Sequence, residues 1–216
     1  WKAAEWKHAP GGGTVSGAAV PGPPVEPPYV LYVGTAKPHK NLTTLLRAHA
    51  ANAALPPLVL AGPTGAEVEG TVVPAGGASG GGLSAASVGS RVRPLGRVPD
   101  AWLPTLYRGA AALAIPSRYE GVGLAALEAM SFGVPVVAAD SPGLADTVGD
   151  AAVLVPTTDI GAWSDALAKV AGGGSLPWRE VLTERGRQHV AGRRWDDVAA
   201  EYVRVYEAAA ARVPRQ

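Results

Sequence analysis

The chain has 216 residues, of which 47% are apolar, so it can bury the core of one sizeable α/β domain, or at most those of two small ones, and is too apolar for extensive disorder. Its formal net charge of +1 and its lack of a basic cluster argue against a dedicated surface for nucleic acid or anionic membrane. Cysteine is absent, which excludes disulfides and thiolate metal sites and fits a reducing cytoplasm. No run approaches the ~20 apolar residues that span a bilayer, and no signal peptide is apparent.

The segment 1–28 differs from the rest because glycine and proline crowd two parts of it, 9–13 and 20–28. This composition predicts a linker or a partly ordered entry segment, followed by one domain over 29–216. The chain begins at Trp1 rather than Met, which is consistent with a fragment or a processed form.

Short apolar runs alternate with helical patterns over the remaining chain. The predicted strands are 29–34, 57–62, 91–96, 110–115, 134–138 and 151–155. The predicted helices are 41–52 and 100–107, with Asn41 and Asp100 as N-caps, 123–131, 159–170, one that begins near Pro177, and 195–211, with Asp196 and Asp197 in its first turn. Between 62 and 90 we expect a loop with at most one short helix, whose glycine run 75–82 is mobile.

This alternation, without long period-2 segments, predicts a doubly wound, Rossmann-like parallel sheet of about six strands with flanking helices. Ligands bind such sheets beyond the carboxyl ends of the strands. Polar segments follow the predicted strands at 34–40, 96–98 and 120–123, so we expect them at the same edge of the sheet.

The joint between the strand 110–115 and the helix 123–131 reads E-G-V-G at 120–123. Its glycines let the backbone approach a ligand, and its amides lie at the positive end of the helix dipole, where a phosphate binds well. A tight structural turn is the alternative, since a two-glycine motif alone is a weak signal. Lys40 favours the interpretation as a phosphate site. A lysine just before a predicted helix gains nothing from the positive end of the dipole, and its position makes better sense if an anion lies between it and Gly123.

Two carboxylates flank that joint, Glu120 and Glu128. Glu128 lies on a helix face that is otherwise apolar, and an unpaired buried carboxylate is costly. It therefore needs donors, which a ribose diol or, alternatively, a neighbouring backbone amide would provide. Glu120 is a candidate contact for a sugar hydroxyl or a developing positive charge, and its alternative is a surface or capping carboxylate.

The histidines have no metal-ligand spacing, so His8, His39, His49 and His189 are interpreted as solvated or locally hydrogen-bonded. Nothing resembles a Ser-His-Asp arrangement, a P-loop or a full G-x-G-x-x-G fingerprint. The working hypothesis from the residues is a site for an anionic, hydroxyl-rich ligand such as a sugar nucleotide.

Longer motifs surround these residues: YVLYVGTAKPHKNL at 29–42, RPLGRVPD at 93–100, LYRGAAALAIPSRYEGVGLAALEAM at 106–130, GVPVVAA at 133–139, GDAAVLVP at 149–156 and RWDDVAAEY at 194–202. With them the chain resembles, over about 29–210, the retaining GT-B glycosyltransferases of family 4, also called glycosyl transferases group 1. The likeness is to their C-terminal, donor-binding half, and it implies a fold of that kind.

The resemblance implies a role for each matching residue. Lys40 would contact the donor diphosphate and, with Glu120, act in catalysis, while the amides of 121–123 would bind the diphosphate or the sugar. Glu120 would bind hydroxyls of the donor sugar, Glu128 the nucleotide ribose, and Val98 would lie by the base. The complete implied donor site is Gly34, Thr35, Lys40, Arg97, Val98, Glu120, Gly121, Val122, Gly123, Leu124 and Glu128.

The resemblance also implies transfer with retention and with neither cofactor nor bound metal, because cationic groups and helix amides stabilise the leaving diphosphate. The spacing from Gly34 to the P-H-K-N motif is closest to the bacterial mannosyltransferase-like branch, so GDP-mannose is the first expectation for the donor, with a UDP-linked sugar the other. Val122 and Ala125 replace the usual Phe and Pro, and many members have arginine near Thr35. Without that arginine, one charge fewer faces the diphosphate.

Members of this family need an N-terminal Rossmann-like domain that binds the acceptor and normally supplies a catalytic histidine, and 1–28 has no room for it. We therefore expect the isolated chain to be inactive or nearly so, and any peripheral membrane association to run through the missing domain. Helix 195–211 would cross to that domain, with Trp195, Tyr202 and Tyr206 exposed at the interface. A role in cell-envelope or exopolysaccharide synthesis follows from the same resemblance.

Two other interpretations stay open. The first is a non-catalytic module that keeps the fold and binds a partner protein, because the altered Val122 and Thr35 depart from the family pattern. The second and weaker is a sugar-nucleotide epimerase of the same architecture.

Overall fold

A six-stranded parallel sheet lies at the centre of the computed structural model, which describes residues 22–71, 91–172 and 176–211. The strands in chain order are β1 Tyr29–Val33, β2 Leu58–Ala61, β3 Val92–Gly96, β4 Ala110–Ile115, β5 Val136–Asp140 and β6 Ala152–Pro156. Their spatial order is β3-β2-β1-β4-β5-β6, and every neighbouring pair is parallel. The predicted doubly wound, Rossmann-like fold is confirmed. The first and last residues of each predicted strand lie within two residues of those of the observed strand.

Helices connect these strands. In chain order the described ones are α1 Leu42–Ala50, α2 Gly65–Thr71, α3 Leu103–Gly109, α4 Leu124–Ser131, α5 Leu144–Val148, α6 Ile160–Ala171, α7 Leu176–Ala191 and α8 Trp195–Ala211. The short helix α5 follows β5 and was not predicted from the sequence. Its five residues are too few for a periodic pattern.

The prediction of Asp100 as an N-cap is wrong. A 3₁₀ turn over Asp100–Trp102 precedes α3, and its N-cap is Pro99, which has extended backbone (φ −62°, ψ 143°). Because the proline ring fixes φ in this range, the turn begins directly after it, and the Asp100 side chain makes no capping hydrogen bond. Pro104 lies at the start of α3, where a missing N–H costs nothing.

The core surrounds β1 and β4, the two middle strands. All six residues of β4 are buried, and because alternate residues of a strand face opposite sides, both faces of the sheet are covered. Buried aromatic rings have partners for their polar atoms: Tyr29 Oη donates to the Leu106 carbonyl at 2.8 Å, and Trp163 Nε1 donates to the Pro156 carbonyl at 3.1 Å.

The strand order reverses at β1, with β2 on one side and β4 on the other. In such a sheet the loops that follow β1 and β4 diverge and leave a crevice, which is where open α/β sheets bind ligands. The predicted polar segments 34–40 and 120–123 lie in these two loops. The segment 96–98 follows β3 at the same edge.

Most of the linker predicted over 1–28, and the whole glycine run 75–82, lie outside the described residues. The described part of the linker, 22–28, forms neither helix nor strand. No helix in the described ranges is long and apolar enough to cross a membrane.

Candidate functional site

Asn41 joins three of the loops at the carboxyl edge of the sheet. It lies at the predicted N-cap position of α1 in the left-handed region (φ 53°, ψ 36°), but its side chain makes no capping hydrogen bond. Instead Nδ2 donates to the carbonyls of Pro116 at 3.1 Å and Thr157 at 2.8 Å, and Oδ1 accepts from Thr44 at 2.9 Å. Asn41 therefore ties the loop after β1 to the loops after β4 and β6, a role that the capping pattern did not predict.

Further contacts hold the loops after β1 and β4 side by side. The amide of Arg118 donates to the carbonyl of His39 at 2.8 Å, and the His39 ring stacks on Tyr119 with 4.9 Å between centroids. With Asn41, these contacts fix the register of the two loops across the crevice. The loop residues that lie between these contacts are therefore held in fixed positions.

Lys40 and Glu120 meet inside this pair of loops. Lys40 Nζ donates to Glu120 Oε1 at 2.7 Å, and the two side chains are only 22% and 15% exposed. Ser117 Oγ donates to the same oxygen, also at 2.7 Å. The anion expected beside Lys40 is thus, in this structure, the Glu120 carboxylate. An ammonium has three donors, so the pairing leaves Lys40 able to bind a further anion.

The joint at 120–123 is shaped by two glycines with positive φ. Gly123, at φ 72°, is the N-cap of α4, and a Cβ there would lie 2.7 Å from Leu144. A Cβ on Gly143, at φ 76°, would lie 2.0 Å from the carbonyl oxygen of Glu120. The segment before α5 therefore packs directly against the joint, so closely that neither glycine has room for a side chain.

The outer side of the joint is open. Gly121 has free space where a side chain would be, and Val122 and Leu124 are each 49% exposed. The amides that begin α4 thus lie at an exposed helix N-terminus, as predicted, next to the Lys40–Glu120 pair.

Glu128 has a buried hydroxyl as its donor. Tyr107 Oη donates to Glu128 Oε2 at 2.7 Å, and Tyr107 is only 1% exposed. Burial raises the pKa of the Glu128 carboxyl above its ordinary value, while the Tyr107 hydrogen bond lowers it and the charge of Asp100 raises it further. The alternative for Glu128, a bond from a neighbouring backbone amide, is not what the described residues form.

Glu128 also faces a cavity of about 460 Å³ between α4 and the terminal helix. Its walls include Val122, Leu124 and Glu128 on one side and Trp195, Val198 and Tyr202 of α8 on the other. None of the described residues of α8 is buried, and the predicted exposure of Trp195, Tyr202 and Tyr206 is observed at 56, 59 and 66%. The domain that would cover them stays a prediction.

The remaining predicted site residues lie along the same edge of the sheet. The Gly34 amide donates to the carbonyl of Ala61 at 3.0 Å, and the Gly62 amide donates to Gly96 at 2.8 Å, so the loops after β1, β2 and β3 are adjacent. Thr35 and Arg97 are exposed, and Val98 packs partly on the core. The structure thus brings Lys40 and Glu120 together, while the segment 96–98 lies two strands away.

Within the described ranges, no group of His, Cys, Asp and Glu could hold a metal ion. His49 Nε2 bonds to the Pro56 carbonyl at 2.8 Å and burial lowers its pKa, while His189 Nε2 bonds to Thr147 at 2.7 Å. The interpretation as locally hydrogen-bonded is confirmed for these two. His39 instead stacks on an aromatic ring, and His8 is not among the described residues.

The sequence from 18 to 189 matches the family model described as Glycosyl transferases group 1. The chain belongs to this family. Among curated relatives, O-antigen chain mannosyltransferase B of Escherichia coli is 36% identical over 188 residues, which are 83% of this chain and 45% of the relative. D-inositol 3-phosphate glycosyltransferase of Salinispora arenicola is 39% identical over 199 residues, 86% of this chain and 42% of the relative. The chain thus spans less than half the length of these relatives.

Solved structures agree with the fold. Sucrose-phosphate synthase from Thermosynechococcus elongatus matches with a TM-score of 0.70 and 28% identity, over 88% of this chain and 47% of that one. Anabaena HepE in complex with UDP matches with a TM-score of 0.64 over 85% of this chain and 49% of that one, and at 19% identity the likeness concerns the fold alone. The family recognised from the motifs is confirmed.

Proposed function

We propose that the chain is the donor-binding part of a glycosyltransferase that moves a hexose from a nucleotide sugar to an acceptor. The observation behind the proposal is the Lys40–Glu120 pair, held at 2.7 Å at the switch point of the sheet beside the amides that begin α4. A cation, a carboxylate and a helix N-terminus at one crevice suit a ligand that has both a diphosphate and hydroxyl groups.

The roles follow the chemistry of each group. The remaining donors of Lys40 and the amides of 121–123 bind the diphosphate, and Glu120 accepts hydrogen bonds from hydroxyls of the sugar. Glu128 accepts from the ribose diol. The other proposed contacts are Gly34, Thr35, Arg97, Val98 by the base, and Leu124.

In the reaction, negative charge develops on the diphosphate as the bond to the sugar breaks. Lys40 and the amides before α4 stabilise that charge, since donors that are already in position need not reorganise. We propose that transfer occurs with retention and that these groups act without a metal ion. Glu120, turned toward the sugar, would stabilise the positive charge that develops there.

GDP-mannose is the donor that we propose to test first. The spacing between Gly34 and Lys40 favours the mannosyltransferase-like branch, and the Escherichia coli relative is a mannosyltransferase by name. A UDP-linked sugar is the competing donor. The acceptor site would lie on a further domain, which α8 would contact through its exposed aromatic side chains.

Isothermal titration calorimetry of the chain tests donor binding. We expect heat with GDP-mannose or UDP-glucose and with the matching free diphosphate, because most proposed contacts are to the nucleotide. No detectable heat with any of these ligands at millimolar concentration would contradict the proposal.

A second candidate, a non-catalytic module that binds a partner protein, is favoured by the exposed apolar side chains of α8. The double variant E120A/E128A separates the two. Retained partner binding without nucleotide affinity would favour the module, whereas a partner that restores sugar transfer to the wild type would favour the enzyme.

A further inference from the structure

We propose that Tyr107 is a positioning residue for Glu128. The Tyr107 hydroxyl holds one oxygen of the Glu128 carboxylate, so that the other oxygen is presented to the ligand. The inference rests on the proposed function, because the ligand group that Glu128 would accept from is the ribose of the donor. It adds a residue from α3, outside the strand-to-helix joint, to the donor site.

The hydrogen bond itself is specific. Tyr107 Oη lies 2.7 Å from Oε2 of Glu128, although the residues are 21 positions apart in the sequence. Tyr107 is buried, so water does not compete for its hydroxyl as it would at the surface. Among the described residues, this is the one hydrogen bond to the Glu128 carboxylate, and Oε1 is left for a further donor.

The tyrosine ring is held in place by its neighbours. It stacks on Phe132 with 5.4 Å between centroids and 10° between planes, and the Arg108 guanidinium lies 5.2 Å from the Phe132 centroid. A tyrosine hydroxyl lies on the long axis of its ring, so neighbours that hold this axis in place also hold the oxygen. The donor that Glu128 meets is therefore rigid, and a carboxylate bound to it loses its choice of rotamer.

The opposite side of Glu128 faces the cavity between α4 and α8. Charged side chains in that cavity are Arg193, Arg194, Asp197 and Glu201, and Asp100 acts on Glu128 from the α3 side. A ribose diol would donate to the ionised carboxylate. Because the Tyr107 bond favours the ionised form, its loss would raise the pKa of Glu128 and reduce binding most at low pH.

The variant Y107F removes the hydroxyl and keeps the ring. We expect the Kd for GDP, or for UDP where that is the ligand bound, to rise about tenfold near pH 6, with a smaller deficit at pH 8. The titration of the Glu128 carboxyl, followed by ¹³C NMR, should move to higher pH. In an E128Q background the same change should alter Kd less than twofold.

Y29F is the matched control. Tyr29 is also buried, and its hydroxyl donates to the Leu106 carbonyl without contacting Glu128, so this variant should lose stability but keep the pH profile of binding. If the wild type binds a nucleotide, but Y107F has the same pH profile of binding and the same Glu128 titration as Y29F, the inference is overturned and the proposed function stands. A wild type that binds neither diphosphate would instead overturn the proposed function, and this inference with it.

Discussion

Glu120 and Glu128 flank the same strand-to-helix joint, but the protein holds them in different ways. Glu120 lies in a loop, where Lys40 neutralises its charge and Ser117 donates a second bond to the same oxygen. Glu128 lies on a helix, where its donor is the neutral hydroxyl of Tyr107 and burial raises its pKa.

The difference indicates what each carboxylate needs from a ligand. Glu120 is already compensated, so a diphosphate would join an existing pair through the remaining Lys40 donors. Glu128 is compensated only in part, so ligand hydroxyls would complete its hydrogen bonds and favour its ionised form. In the proposed function, Glu120 would therefore meet the donor sugar as part of an ion pair, whereas Glu128 would meet the ribose as a carboxylate whose hydrogen bonds are incomplete.

The largest stability effect should follow from changing Asn41, which holds the loop environment of Glu120 together. N41A should lower the free energy of unfolding by about 2–4 kcal/mol, since it leaves the buried carbonyl of Pro116 and the partly buried carbonyl of Thr157 without their donor. Urea unfolding measures this. N41G is the matched variant, because glycine tolerates the left-handed backbone but lacks the side-chain donors. An N41A variant as stable as the wild type would contradict the role assigned to Asn41.

The largest effect on ligand binding should follow from replacing Lys40. K40A should raise the Kd for a nucleoside diphosphate about 10- to 100-fold, because it removes the cation from the proposed diphosphate site. Calorimetry gives the value, and K169A is the control, since Lys169 lies on α6 with Nζ 5.8 Å from the Trp178 ring centroid. Equal losses in the two variants would mean that only net charge matters.

The smallest effect concerns the stability of the Glu128 environment as pH changes. Because the pKa of Glu128 is raised in the folded chain, its contribution to stability is present at low pH and is lost as pH rises through the folded value. E128Q should therefore have a Tm about 1–3 °C above that of the wild type at pH 7, and the gain should vanish toward pH 4. Calorimetric scans at the two pH values test this, and a gain that is larger at pH 4 would contradict the sign.

Much of the fold could be predicted because buried strands of parallel sheets are continuous apolar runs, as 110–115 is. The short helix α5 could not, since its five residues have no period to detect. Asp100 matched a capping pattern, but Pro99 had already fixed the backbone at that point. Local patterns thus failed where a neighbour in the chain determined the geometry.

The candidate site also has one part that the sequence predicts and another that it does not. The joint at 120–123 and the edge that it shares with Lys40 follow from strand order and motif spacing. The bond from Tyr107 to Glu128 joins two helices, and the bonds of Asn41 join three loops, so no local pattern predicts them. Ser117 offered a weak signal, as a hydroxyl three residues before Glu120.

An amide chemical-shift map of the chain, titrated with GDP and, separately, with UDP, tests directly whether the switch point of the sheet binds the donor nucleotide. For the nucleotide that binds, we expect the largest shifts within 34–40, 96–98 and 120–124, with a further shift at Glu128. Saturable shifts confined to other surfaces, such as α7 or the outer face of α6, with the segment 120–124 unmoved, would contradict it.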